Sequence, residues 1–434
     1  MNVDDLILVS VDDHVIEPPD LFEGRLSKKA AEIAPKVVTM DGGRDIWMFN
    51  DAPLPNVGLN AVAGRVKEEY GLDALAFSQM RPGCYDIHER IRDMNVNGML
   101  GSLNFPSIAG FTGQLFYTYP DKELALELLR AYNDWHVEDW CGTYPGRMIP
   151  LSIPPFWDVD LMAAEIRRMA EKGCHAVTFS ENPEKLGRPS WHSDHWDPFF
   201  QACEETNTVI CVHIGSSSET VITAMDAPID TMITLQPMNI VKAAADLVWS
   251  PVFRKFPDLK IALSEGGIGW VPYFLERIDY VYQHHHQWTN QDFGDKLPSQ
   301  VFNENILTCF IDDAVGMEVR HHLNGDFIMW ECDYPHSDST WPQSPEMAMK
   351  YLEGLPDEDI DKITHLNAMK QFSFDAFSHI PREQCTVGAL RAQATDVDTT
   401  PVSHGLGKFQ DDGNIVTAIT LSERIAASMK AKAD

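Results

Sequence analysis

Eight short apolar runs, spaced along the whole chain, restrict its fold more than any other feature. They occupy 6–11, 99–105, 148–153, 176–179, 209–212, 260–263, 306–310 and 327–330. Each has the length and apolar, β-branched character of a buried strand. Amphipathic stretches lie between them. "DIHERIRDMNVNG" closes on Gly98, "DKELALELLRAYNDWHVEDW" repeats its apolar residues with helical period, and "DVDLMAAEIRRMAEKG" opens on an Asp cap and stops at Gly173. "DPFFQACEETN" and "NIVKAAADLVWSPVFRKF" follow the same pattern. Strand–helix alternation of this kind builds parallel βαβ units, and eight of them predict an α/β fold of the (β/α)8 TIM-barrel type.

Two regions break the alternation. Residues of about 22–80 are too long for a simple connection and are expected to form an insertion after strand 1. The barrel is then expected to span 1–380, with 381–434 as a C-terminal extension. That last part turns polar in "TDVDTTPVSHGLGKFQDDGN" before a final amphipathic stretch, "LSERIAASMKAKA". It is expected to wrap over the barrel or a neighbouring subunit, in a homo-oligomer taken to be a dimer.

Composition excludes several classes of function. With 34 Lys and Arg against 65 Asp and Glu, the net charge of −31 argues against nucleic acid and anionic membranes as partners. No apolar run approaches the ~20 residues of a membrane span, and no basic-then-apolar leader opens the chain. The eight cysteines are scattered without a C-x-x-C pair, the usage of a reduced, cytoplasmic protein.

Chemistry concentrates where the strands end. The first run finishes in Asp12, Asp13 and His14, with Glu17 just behind. The fifth finishes in His213, the sixth in Glu265 and the eighth in Asp333. A buried strand ending in unpaired charge needs partners, water or a metal, since uncompensated burial costs several kcal/mol per ion. In a barrel these ends converge on one rim, and Asp12 and His14, two apart in an extended segment, point the same way. An isolated acid after a strand ordinarily caps the next helix; four metal-competent ends together favour a site.

These motifs resemble the amidohydrolase-related family of metal-dependent hydrolases and decarboxylases. The resemblance spans nearly all of residues 5–378 and rests chiefly on "DDHVIEP", "VHIG", "SEGGIGWVP" and "DYPHSD", supported by "HWDPFFQACEE", "VFRKFPDLKIALSEGG" and "HLNAMKQF". It implies a (β/α)8 barrel holding one divalent cation, zinc with manganese as the alternative. The implied ligands fall on Asp12, His14, His213 and Asp333. Many members begin with His-x-His, so the acidic pair here makes a more oxygen-rich site. Family decarboxylases commonly carry His where this chain has Glu265.

The leading expectation is therefore hydrolysis of an amide, lactone or carbon–carbon bond of a small organic substrate by metal-activated water. Asp333 is the general base, His213 a ligand at the reacting centre, and Glu265 an acid/base group or extra ligand. The alternative is a non-oxidative carboxy-lyase acting on an aromatic or unsaturated acid at the same site. Glu17 either orients His14 or satisfies the Pro-rich turn, and His336 either contacts substrate or lies on the surface. His284, His285 and His286 face different ways on one helix, with one member near the barrel mouth, and His88 and Arg90 are assigned only packing and surface pairing.

Overall fold

The computed structural model describes residues 1–54, 57–407 and 413–423. Most of "LSERIAASMKAKA" lies outside the described residues. Among those described, eleven strands form: β1 (Leu8–Val15), β2 (Lys36–Thr39), β3 (Asp45–Phe49), β4 (Ala52–Pro53), β5 (Met99–Pro106), β6 (Met148–Ile149), β7 (Ala176–Ser180), β8 (Val209–His213), β9 (Ile261–Ser264), β10 (Ile306–Phe310) and β11 (Ile328–Trp330). Each of the eight apolar runs carries one of the parallel strands.

Those parallel strands form two arcs. One has three strands in the order β1-β5-β6, and the other five in the order β7-β8-β9-β10-β11. Backbone hydrogen bonds join the arcs at both ends. Ser152 N–H donates to Ala176 O at 3.0 Å, while Asp333 N–H donates to Asp12 O at 2.8 Å and His14 N–H to Tyr334 O at 2.7 Å. One apolar cluster draws on all eight strands, including Val9, Leu103, Ile149, Ala176, Cys211, Ala262, Cys309 and Met329. Full burial of both strand faces explains why these runs read as continuous apolar stretches rather than alternating ones.

Helices alternate with these strands along the chain, and their ends match their sequence signals. Ile87–Asn97 begins on Asp86, whose carboxylate accepts from the N–H groups of His88 and Glu89. It ends on Gly98 at φ 77°, a left-handed cap that costs glycine little. Val159–Glu171 is capped by Asp158 in the same way.

Between β1 and β5 lies a separate antiparallel sheet of β2, β3 and β4. Beyond residue 380 the chain returns to the base of the strands, where Val387 N–H donates to Leu6 O at 2.8 Å and the Val387 side chain is buried. Further on, Val402 N–H reaches Gly64 O at 2.9 Å, and Val416 O accepts from Ile229 N–H at 2.8 Å. All eight cysteines are buried and unpaired. Among the described residues, no helix is long and apolar enough to cross a membrane.

Candidate metal centre

The four strand ends singled out in the sequence do meet. An extra residue in β1 between Ser10 and Asp13 shifts its register against β5. Such a bulge re-aims side chains at the end of a strand. His14 Nε2 lies 3.6 Å from Asp12 Oδ1 and 3.4 Å from Asp333 Oδ1. His213 Nε2 lies 3.3 Å from Asp12 Oδ2 and 3.2 Å from Glu265 Oε2. His336 Nδ1 stands 3.0 Å from Asp333 Oδ1, and its ring stacks on His14 at 3.7 Å. Donor atoms of Asp12, His14 and His213 fall within 4.8 Å of one another, as do those of His14, Asp333 and His336.

The hydrogen-bond inventory tests whether a cation fits. Both oxygens of Asp12, both of Asp333, and Nε2 of His14 and His213 are buried without a hydrogen-bond partner. Buried polar atoms seldom go unmet in folded proteins. His213 Nδ1 sits 2.6 Å from Ile214 O. A carbonyl only accepts, so Nδ1 carries a proton, and Nε2 is the nitrogen turned toward the Asp12 carboxylate. With Nδ1 so engaged, Nε2 at 3.3 Å from the carboxylate is placed to ligate a cation held between them.

Electrostatics point the same way. Burial pushes the Asp12 carboxyl up, and Asp333 and Asp13 push it further. Burial and the Asp333 charge likewise raise Glu265. Asp333 moves down despite burial, held by His336 and His14. A divalent cation amid these acids would reverse the penalty on their ionised forms. The donors present fit one such ion, with mixed nitrogen and oxygen ligands suited to zinc or manganese.

Backbone strain marks two of the acids. Glu265 and Asp333 hold left-handed conformations at φ 58° and 59°, each costing roughly 1–3 kcal/mol for a non-glycine residue. The sequence after Glu265 accommodates its bend. A Cβ on Gly266 would meet Ile240 Cγ2 at 2.5 Å, and Gly267 takes φ 66°. Asp313 then anchors the turn by accepting from the N–H groups of Ile268 and Gly269 at 2.8 and 2.7 Å.

Other assignments resolve differently. Glu17 touches a neighbouring loop rather than His14: its carboxylate accepts from Ser107 N–H, Ile108 N–H and the Tyr132 hydroxyl at 3.0, 2.9 and 3.1 Å. That loop carries Phe111, whose ring stacks on His213 at 4.6 Å. His284 and His286 place Nδ1 2.8 Å from the carbonyls of Tyr280 and Tyr282, on their own helix. None of the three joins the metal-capable groups found among the described residues.

Arg90 corrects the sequence reading. It is fully buried rather than surface-paired, donating to His14 O and Gly83 O at 2.6 Å each and lying 4.4 Å over the Tyr334 ring. Asp13 turns away from the cluster, accepting from Tyr334 N–H at 2.7 Å and from the Ser102 hydroxyl. Burial raises its carboxyl to about 7. Glu331 was missed altogether. It is fully buried, and its Oε2 accepts from Glu265 N–H at 3.3 Å. Its position two residues before Asp333 in an extended segment was the available signal.

Comparison with known proteins gives a family and a set of similar folds. The amidohydrolase family profile matches residues 46–374. A curated relative, the 2-amino-3-carboxymuconate-6-semialdehyde decarboxylase of Dictyostelium discoideum, is 22% identical over 221 residues, covering 49% of this chain and 56% of that protein. The chain thus spans little more than half the length of the curated relative it matches. An amidohydrolase from Mycobacterium avium subsp. paratuberculosis K-10 superposes with TM-score 0.66 at 21% identity, over 85% of this chain and 98% of its own. A 5-carboxyvanillate decarboxylase from Novosphingobium aromaticivorans, solved with manganese and 3-methoxy-4-hydroxy-5-nitrobenzoic acid, matches with TM-score 0.51 at 21% identity, over 68% and 84% of the two chains.

Proposed function

The chain belongs to the amidohydrolase family, and from that membership we propose that it is a metal-dependent, non-oxidative decarboxylase of an aromatic or unsaturated carboxylic acid. In this reading the two arcs make one (β/α)8 barrel over 1–380, with an insertion after β1 and 381–434 as an extension. Asp12, His14, His213 and Asp333 would hold the cation.

The observation that carries the reading is the aromatic wall beside the donor cluster. Phe111 stacks on His213 at 4.6 Å, and Phe105 packs 4.9 Å from His213 and 5.9 Å from His14. Planar rings at that position suit a flat, conjugated substrate and keep water from it. The decarboxylases among the similar proteins support the same choice.

When bound, the divalent cation supplies a Lewis acid that fixes a substrate carboxylate and withdraws its charge. Asp333, ionised at rest, would relay a proton received from His336 to the carbon that bears the carboxylate. A C–H bond forms there, the carbon–carbon bond to the carboxylate breaks, and carbon dioxide leaves while its bonding electrons return to the conjugated system. His336, 3.0 Å from Asp333, restores the proton. At 11% and 14% side-chain exposure, His336 and Glu265 are the cluster members that reach toward solvent, the route by which protons enter.

Glu265 favours hydrolysis as the second reading, because it places a carboxylate 3.2 Å from His213 where family decarboxylases commonly carry His. There Asp333, held ionised, accepts a proton from the attacking water and returns it to the leaving group. One assay separates the two. Zinc- or manganese-loaded enzyme is screened against hydroxylated aromatic acids, unsaturated diacids, amides and lactones, with carbon dioxide and released acid or amine both quantified. Carbon dioxide equal to substrate consumed supports decarboxylation; acid or amine without carbon dioxide replaces it with hydrolysis.

A further inference from the structure

A cleft of about 500 Å³ opens between the segment after β7 and the helix Met238–Trp249. Glu181 and Asn239 line it, and both are only 2% exposed. Glu181 Oε1 accepts from the Ser217 hydroxyl at 2.7 Å and the carboxylate faces the backbone N–H groups of Ser217 and Gly215, while Oε2 meets no donor in hydrogen-bonding geometry. Asn239 Nδ2 donates to Glu219 O at 2.9 Å, while Oδ1 has none. Two buried acceptors at one cleft therefore lack donors, a combination that folded proteins seldom leave unmet.

The surrounding charge is acidic on balance, although Lys185 lies 3.8 Å from Glu219 and His192 Nε2 2.6 Å from Asp246. Glu184, Glu219 and Asp246 also line the cleft, against a single Lys242, which is already 3.0 Å from Glu219. A carboxylic acid would be repelled here, so this is not a second pocket for the proposed substrate. A bare metal ion fits poorly too, since these residues do not appear among the groups able to converge on one ion in the described residues. Trp249 adds an aromatic wall, on which cations pack favourably.

We propose that this cleft binds a small organic cation with several N–H donors, of the alkylammonium or alkylguanidinium class. Its donors meet Glu181 Oε2 and Asn239 Oδ1, and its charge is balanced by the surrounding carboxylates. The occupant is also close to the metal centre in hydrogen-bond terms. Glu181 N–H donates to the Ser216 hydroxyl at 2.8 Å, and that hydroxyl donates to His213 O at 2.6 Å. The inference does not depend on the reaction proposed above.

Calorimetric titration of the metal-loaded full chain at low salt, with agmatine and putrescine as probes and succinate as the anionic control, tests it. The expected result is one cation bound per chain and no succinate. Glu181→Gln is expected to weaken agmatine roughly tenfold or more, as loss of a charged hydrogen-bond partner does. Lys242→Ala, at an exposed position that leaves the core untouched, is expected to tighten it by removing the competing cation. Absence of binding by both cations overturns the proposal. So does equal affinity in folded Glu181→Gln, or unchanged or weaker affinity in Lys242→Ala, the variant that decides the matter if Glu181→Gln fails to fold.

Discussion

Glu265 Oε2 lies 3.2 Å from His213 Nε2, and the two side chains come from the ends of adjacent parallel strands, β9 and β8. The contact places Glu265 beside the donor cluster without making it one of the mutually close metal-capable groups. Glu265→Gln is accordingly expected to keep its metal and to lower turnover by less than ~10², the low end of what a general acid or base contributes. Turnover and metal content of the purified variant check this. Loss of the metal would make Glu265 a ligand instead.

Asp333→Asn is expected to be far more damaging. Asn keeps one oxygen of Asp but cannot carry the proton. Turnover is expected to fall by roughly 10²–10⁴-fold, with most of the metal retained on Asp12, His14 and His213. Near-normal turnover would remove Asp333 from the chemistry.

His213→Ala is expected to lose metal and activity together while the fold survives, because the apolar cluster drawn from all eight strands does not include His213, although Phe105 and Phe111 pack against its ring. Adding metal is expected to raise the melting temperature of the wild type, since ligand at 100 times its Kd stabilises by about 2.7 kcal/mol. The variant is expected to show no such rise at the same concentration.

Glu17→Ala is expected to act through the loop bearing Phe111. Its removal strands two backbone N–H groups and the buried Tyr132 hydroxyl, and each unmet buried group costs about 1–3 kcal/mol. A clear drop in melting temperature and a raised KM, with metal content unchanged, are the expected signature. Metal loss at full stability would instead tie Glu17 to His14.

Acid is expected to destabilise the protein through two buried histidines. Burial lowers His136 to about 4 and His365 to about 3, from an ordinary value of 6.5. The unfolded chain therefore binds more protons than the native one between those values and 6.5. Their contribution is complete above pH 6.5 and drains away as pH falls toward 4 and then 3. Melting temperature measured across that window is expected to decline with acid, and less steeply in His136→Gln/His365→Gln.

The sequence made the strands legible because burial on both faces leaves an apolar run that polar surroundings cannot imitate. Asp12, His14, His213 and Asp333 were legible for a related reason: ionisable residues directly behind such runs need partners. Arg90 was not, since its pattern on the helix Ile87–Asn97 resembles an exposed cation, and only the fold brings the carbonyls of His14 and Gly83 to it. Glu331 escaped because it sits among apolar neighbours whose burial hides its charge. Phe111 was hidden in a loop without periodicity, a loop whose start Glu17 binds across 90 residues and more of sequence.

Elemental analysis of the purified chain, paired with activity before and after chelation, tests the metal centre most directly. About one zinc or manganese per wild-type chain is expected, lost with activity on chelation, restored with it on adding either metal, and missing from His213→Ala. Stoichiometric calcium, or full activity in metal-stripped protein, would contradict the assignment of Asp12, His14, His213 and Asp333.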